Sequence, residues 1–334
     1  MSASWLTHLE HQWRSLAWKP WLQYFSSKHT LVRYDSRGCG LSDRDVRDVS
    51  FEIWMRDFEA VADAAEFDRY CVLGTCQGGP VAMEYAARHP DRVSQLLLYA
   101  TYTRGLARRP GRSSAVRQGQ VLLDMLQLGW GDDSHAYLQV WASLFQPGGS
   151  LEHLRSWSEQ QRLSTSAEMA AKLFQTTFDV DVQQSARRVK CPALVVGLEH
   201  DTLVPLEESR LVASLIPGAR FVALNTNNHM LLQEEPAWPR LISEFEAFLK
   251  EPAATEAGDP RERFAGLTSR ERQVLEAIAR GLDNAEIASH LHLSEKTVRN
   301  HITRLLDKIG VEHRYQAIVI ARDAGFGQPR KTAV

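Results

Sequence analysis

Cysteine is scarce in this 334-residue chain. Cys39, Cys71, Cys76 and Cys191 are the only four, and they lack both metal-ligand spacing and the density of a disulfide framework. The sequence therefore reads as a protein of a reducing cytoplasm, with no metal and no cofactor implied. Long apolar runs are missing too, since none approaches the ~20 residues that cross a bilayer. The opening MSASWLTHLEHQWRS has neither the basic start nor the apolar core of a secretion signal. Internal repeats and low-complexity blocks are absent as well. At 44% hydrophobic and 24% charged residues, what remains is the composition of an ordinary globular protein without a membrane segment.

Net charge is small, −2, but unevenly spread. Residues 261–334 hold 13 basic and 9 acidic residues, a balance of +4, which leaves −6 on the rest. A basic tail on an acidic body points weakly to a polyanionic partner for the tail. The seam between them is EPAATEAGDPRER, residues 251–263. It has no apolar periodicity and reads as a linker. The expected domains are 1–250 and 264–334.

Before the seam, short apolar runs alternate with helical patterns. The runs 29–35, 70–75, 93–100, 192–199 and 219–225 read as strands of a parallel sheet buried on both faces. Helical spacing covers 51–67, 77–89, 206–215 and 236–249, giving an α/β fold. Residues 105–188 break this rhythm with mostly helical sequence, expected as a cap over the carboxyl edge of the sheet. After the seam the pattern is all helical. Thr268-Ser-Arg-Glu271 is a capping box opening a first helix that Gly281 ends. Asp283 or Asn284 caps a second. Ser294 caps a third, ended by Gly310, with Val298, Ile302, Leu305 and Ile309 as its inward stripe. RYQAIVIARDAG supplies a fourth.

The third helix carries Lys296, Thr297, Arg299, Asn300, Thr303 and Arg304 off that stripe. These are side-chain types that reach phosphates and base edges in a major groove. The strings LTSRERQVL, NAEIA, SEKTVRNHITR and KIGV closely resemble the LuxR-type (GerE-like) helix-turn-helix domain of bacterial transcription regulators, over about residues 264–325. The resemblance implies double-stranded promoter DNA as partner, with Lys296, Thr297, Arg299, Asn300 and Arg304 as contacts. It also implies a homodimer joined through the fourth helix.

In the body, the stretch GTCQGG at 74–79 follows a strand-like run and precedes a helix. Gly74 and Gly78 flank Cys76 at two residues on either side, the arrangement of a strained strand–turn–helix corner that presents a nucleophile. A buried structural cysteine in a tight turn is the plain alternative. Asp201 lies just past the run PALVVGLE, and His229 lies in the loop after ARFVALN. Nucleophile, acid and histidine thus follow one another at successive strand ends.

VRYDSRGCGLSD, LGTCQGGPVAMEYAARHPDRVSQLLLY, HDTLVP and NHMLLQEEPAW resemble α/β-hydrolase-fold sequence from residue 5 to about 250. That resemblance implies a triad of Cys76, His229 and Asp201, with the Gln77 backbone N–H as one oxyanion donor. Serine is the usual nucleophile, and cysteine occurs there in dienelactone-hydrolase-like enzymes. The resemblance also implies about three strands before residue 29, where this chain has helical sequence. The N-terminal strands are thus expected to be missing. Either the first two strands pair directly or, the preferred expectation, the natural chain starts upstream of Met1. Functionally the sequence points to a regulator whose body senses a small molecule held under the cap. The alternatives are an ester, thioester or lactone hydrolase acting through Cys76, and an inert scaffold. Trp130, Tyr137, Trp141 and Trp157 are candidates to line the pocket, with core packing the favoured alternative for any one of them, and the cluster Arg104–Arg109 is a candidate to meet an acidic ligand, with a solvated surface the favoured alternative.

Overall fold

Four apolar segments hydrogen-bond side by side to make the only sheet among the described residues. They are β1 (Tyr70–Thr75), β2 (Val93–Tyr99), β3 (Ala193–Leu198) and β4 (Arg220–Leu224), all parallel in the order β1-β2-β3-β4. Val72 pairs with Leu96, Leu97 with Leu194, and Val195 with Phe221. Every residue of β3 is buried, as a strand covered on both faces requires. The computed structural model describes residues 1–130, 136–250, 264, 266–309, 311 and 314–327. It divides into two units, Met1–Ala253 and Ala254–Val334. The expected linker 251–263 and the expected helix stop at Gly310 lie outside the described residues. No described helix is long and apolar enough to cross a membrane.

Helices surround the sheet of the first unit. Ahead of β1 come α1 (Leu9–Gln12), α2 (Trp18–Lys28) and α3 (Phe51–Ala64). In α2 the buried residues Trp18, Trp21, Leu22 and Phe25 follow the i, i+3, i+4, i+7 pattern of one face. Trp21 packs edge-on against Tyr99 at 4.8 Å and donates its indole N–H to Leu231 O at 3.1 Å. The first helical turn of α3 is held by the Ser50 hydroxyl, which accepts from Ile53 N, a side-chain cap of the kind worth about 1 kcal/mol. Between β1 and β2 lies α4 (Gly78–Arg88). After β2 the cap region holds α5 (Arg112–Gly129), α6 (Ala136–Phe145), α7 (Leu151–Ser164), α8 (Ala167–Thr176) and α9 (Gln183–Ala186). Then α10 (Leu206–Leu215) precedes β4 and α11 (Ala237–Lys250) follows it.

The run 29–35, read as a strand from sequence, is not one. Residues 30–36 join no ladder. Met1 N donates to Val32 O at 2.9 Å and Ser2 N to Leu73 O at 3.0 Å, so the first two residues lie between this segment and β1. Alongside them, a cavity of about 320 Å³ is bounded by Thr30, Leu31 and Val32 on one side and by Tyr70, Cys71 and Leu73 on the other. Direct pairing needs strands about 4.8 Å apart, and the gap forbids it. Burial pushes the Met1 ammonium down to about 6.

The second unit is helical: α12 (Ser269–Ala279), α13 (Asn284–Leu291), α14 (Glu295–Ile309) and α15 (Arg314–Asp323). Two reciprocal capping boxes, Thr268 with Glu271 and Asp283 with Glu286, start α12 and α13. Gly281, at φ +91°, turns the chain between them. Val298, Ile302, Leu305 and Ile309 of α14 are buried. Val298 and Ile302 pack with Val274, Ile278 and Ile287. Leu305 and Ile309 pack with Leu275 and Ala317.

Glu271 also accepts from Lys308 Nζ at 2.8 Å, tying α14 to α12. Lys308, followed by the Thr268 backbone N–H, holds the Glu271 carboxyl down at about 2 from 4.5. A carboxylate whose pKa falls on folding stabilises the native state above its unfolded value and loses that contribution as pH drops through the folded one. The tail unit is therefore expected to lose melting temperature between about pH 4.5 and 2. Glu271→Gln should flatten that limb, and thermal melts of the two chains across this range check it.

Candidate functional site

The carboxyl ends of the strands place the chemistry. β1 runs into Cys76, whose φ of +49° puts a non-glycine residue in the left-handed region, at a cost of order 1–3 kcal/mol. Two glycines make the corner possible. A Cβ on Gly74 would sit 2.8 Å from Ala82 Cβ and from Gly79 Cα, and one on Gly78 would sit 2.6 Å from Ala3 O. The Thr101 hydroxyl, just past β2, donates to Cys76 O at 2.6 Å and pins the turn. Cys76 thus stands at the amino end of α4, and Gln77 is the cap residue of that helix.

Asp201 follows β3 and His229 follows β4. His229 Nδ1 and Asp201 Oδ2 are 2.6 Å apart, with side chains 5% and 0% exposed. The other carboxylate oxygen of Asp201 accepts from the N–H groups of Leu203 and Val204 at 2.9 and 3.2 Å. Cys76 and His229 line one small recess, and the Cys76 side chain acts electrostatically on the imidazole. The structure therefore brings Cys76, His229 and Asp201 together at one end of the sheet. Burial alone would lower the His229 pKa. The Asp201 carboxylate and the Cys76 sulfur outweigh it, so His229 sits well above its ordinary 6.5. The other thiols are unsuited to such a role, because burial pushes Cys39 and Cys71 up to about 12 and Cys191 to about 11.

The His229 loop is fastened by a residue that the sequence did not single out. The Glu235 carboxylate accepts from the Thr226 hydroxyl, from Asn228 Nδ2 at 2.8 Å and from Leu232 N at 2.8 Å. Only the acidic character of QEEPAW hinted at it. The amino-terminal residues are a second surprise. Gln77 Nε2 donates to Ser4 O at 3.2 Å, and Ser4 and Trp5 line a small recess together with Thr75, Cys76 and His229.

A cavity of about 330 Å³ opens beside the sulfur, bordered by Cys76, Gln77, Tyr102, Arg109, Trp141 and Phe174. Of the four aromatic candidates to line it, Trp141 does. Trp157 instead borders the recess beside His229. Trp130 is a packed core residue whose indole donates to Thr165 O at 2.9 Å. Tyr137 is 43% exposed, on the outer surface. Core packing, the favoured alternative for any one of them, is what Trp130 shows. Helical spacing in the cap marks which residues are apolar but not which helix face meets the cavity. Among the described residues no cluster of His, Cys, Asp and Glu is arranged to hold a metal.

In the helical unit, α14 turns Lys296, Arg299, Asn300 and Arg304 outward as exposed side chains. Thr297 is half-buried, its hydroxyl 2.8 Å from that of Ser294 and its N–H donating to the same group at 3.1 Å. It belongs to the helix cap as well as to the surface. Whereas Lys308 is paired with Glu271, Lys296, Arg299 and Arg304 make no ion pair among the described residues. All three lie off the buried stripe of α14.

With fold and geometry in place, comparison with known proteins identifies both parts. Residues 10–236 match the alpha/beta hydrolase fold family and residues 265–321 match the bacterial regulatory proteins of the luxR family. The chain belongs to the alpha/beta hydrolase fold family and carries a luxR-family helix-turn-helix domain behind it. Pyrrolizixenacetamide deacetylase of Xenorhabdus hominickii is 24% identical over 227 residues, 66% of this chain and 80% of that one. DNA-binding transcriptional activator DevR/DosR of Mycobacterium tuberculosis is 41% identical over 73 residues, 22% of this chain and 34% of its own. Among solved structures, an esterase of Exiguobacterium antarcticum superposes with a TM-score of 0.61 at 16% identity, covering 74% of this chain and 90% of that one.

The buried pair gives a direct titration test. A histidine whose pKa rises on folding adds stability below its unfolded value, near 6.5, and loses it as pH climbs through the folded value. In Asp201→Asn the burial penalty is left without its main opposing charge. The His229 ring resonances should then titrate at lower pH than in wild type, and the stabilisation of wild type over the variant should shrink as pH rises. Ring NMR and melts at several pH values read both. An unshifted His229 titration in the variant contradicts the assignment.

Proposed function

We propose that this chain is a transcription regulator whose tail binds promoter DNA and whose body captures a small acyl compound on Cys76. The observation that carries the reading is the buried Asp201–His229 hydrogen bond beside Cys76, with a cavity lined by that cysteine in the same polypeptide as a luxR-family domain. For the tail, α14 is the recognition helix. Lys296, Arg299 and Arg304 take phosphates or guanine edges, Asn300 reads a base edge, and Thr297 holds the amino end of the helix at the backbone. Paired half-sites on the duplex are met by a homodimer.

In the body, Asp201 fixes the imidazole, and His229 holds the Cys76 proton so that sulfur is available as thiolate. Sulfur attacks the acyl carbon and the carbonyl π bond breaks toward oxygen. The Gln77 N–H, at the amino end of α4, stabilises the developing oxyanion. Collapse of that intermediate re-forms the carbonyl and breaks the bond to the alkoxide or thiolate leaving group, which takes the proton from His229. Water, deprotonated by the same imidazole, then releases the acid. A slow second step keeps the acyl group on Cys76 long enough to report its presence, and a fast one makes the body a hydrolase. The deacetylase relative supports acyl transfer as the chemistry.

The DNA arm is tested by titrating duplex promoter fragments from upstream of the gene at several salt concentrations. Wild type is expected to bind with an affinity that falls steeply with salt. Arg299→Ala should cost about 1–3 kcal/mol if it holds a base, while Lys296→Ala should reduce the salt slope by about one unit. Unchanged affinity across alanine variants at 296, 299 and 304 refutes the recognition-helix assignment.

A further inference from the structure

The cavity beside Cys76 is apolar over most of its wall. Trp5, Trp141, Phe145 and Phe174 pack against one another there, with ring centroids 5.5 to 6.3 Å apart in the pairs they form. Its volume of about 330 Å³ is at the small end of the range for ligand pockets, roughly 300–1,000 Å³. Three charged side chains stand near it, and their pairing is unequal. Glu208, on the wall, is held by both Arg104 Nε and Nη2 at 3.0–3.2 Å. That pair neutralises itself.

Arg109 is also on the wall, but it makes no ion pair among the described residues. Its guanidinium carbon lies 5.5 Å from the centre of the Tyr102 ring, and Nε reaches only Arg104 O, at 3.5 Å. Tyr102 is itself buried, and its hydroxyl lies within the electrostatic reach of both Arg109 and Cys76. The cavity thus has sulfur at one point of its wall, an aromatic body, and a cation without a carboxylate at another.

We infer that the compound captured at Cys76 is a short acyl group ending in a carboxylate, a half-ester or half-thioester of a small dicarboxylic acid, with Arg109 as the residue that selects it. This rests on the acyl-capture reading of the body and adds the substrate class to it. The reacting carbonyl meets Cys76, the methylene chain lies along the aromatic wall, and the far carboxylate meets the Arg109 guanidinium. An arginine suits this end because its planar fork takes a carboxylate through two parallel N–H bonds.

Two arms separate the inference from the reading beneath it. In the binding arm, the stable amides N-phenylglutaramic acid and N-phenylpentanamide are titrated calorimetrically into wild type and Arg109→Gln. They share a five-carbon chain and differ in the terminal carboxylate. Wild type is expected to bind the acid about 10- to 100-fold more tightly, the worth of one hydrogen-bonded charge pair, and Arg109→Gln is expected to bind the two alike. Equal affinities in wild type, no binding of either, or a preference that survives in Arg109→Gln overturns the inference. In the acylation arm, 4-nitrophenyl hydrogen glutarate and 4-nitrophenyl pentanoate are compared by nitrophenolate release. A glutarate preference lost in Arg109→Gln supports the inference. Equal rates for both esters in wild type overturn it and leave acyl capture standing. No release from either ester, alongside selective binding of the acid, removes acyl capture and keeps the anion site.

Discussion

The hydrogen bond between His229 and Asp201 is made where water is excluded, between side chains with almost no exposed surface. Taking two such groups out of water costs several kcal/mol each before any attraction is counted. The remaining contacts of the body can be read as the means of recovering that cost. Asp201 spends its second oxygen on two backbone N–H groups at the start of the segment after β3. His229 lines one recess with Cys76. Separating His229 from Asp201 would therefore leave a buried charge or donor without its partner.

That demand explains features scattered along the chain. The loop that carries His229 is bound at one side by Glu235 and at the other by Trp21 and Tyr99, which hold Leu231 by its carbonyl and its N–H. The turn that carries Cys76 is strained at φ +49° and is held by the Thr101 hydroxyl at its carbonyl. Gly79 has to be glycine for the same reason, since a Cβ there would lie 1.9 Å from that hydroxyl. Strain and desolvation at the site are offset by packing elsewhere, as they are at functional sites generally.

Much of this was legible in the sequence, and what was not has physical causes. The four strands that form are short apolar runs, three of them leading to a residue of interest, and their pattern fixes the sheet because both faces are buried. The run at 29–35 has the same composition and is not a strand. Strand character is conferred by a partner at ladder distance, and between this segment and β1 lies a cavity rather than a ladder. Cys76, Asp201 and His229 could be found from their places at strand ends. Glu235 and Thr101 could not, because they act through carbonyls, amides and hydroxyls whose neighbours are set by the fold. Likewise, four cap aromatics looked equivalent by spacing, yet only Trp141 borders the larger cavity. The tail was the most readable part, since capping boxes, the helix stop at Gly281 and the inward stripe of α14 are all local signals.

The account of the body turns on whether Cys76 accepts an acyl group with His229 as its base. Intact-protein mass spectrometry after exposure to a panel of activated esters, thioesters and lactones measures this without knowledge of the natural compound. The account predicts a single acyl adduct on wild type that maps to Cys76 and is absent from Cys76→Ala and His229→Ala. No adduct on wild-type protein that melts cooperatively, or an adduct that persists in Cys76→Ala, contradicts it.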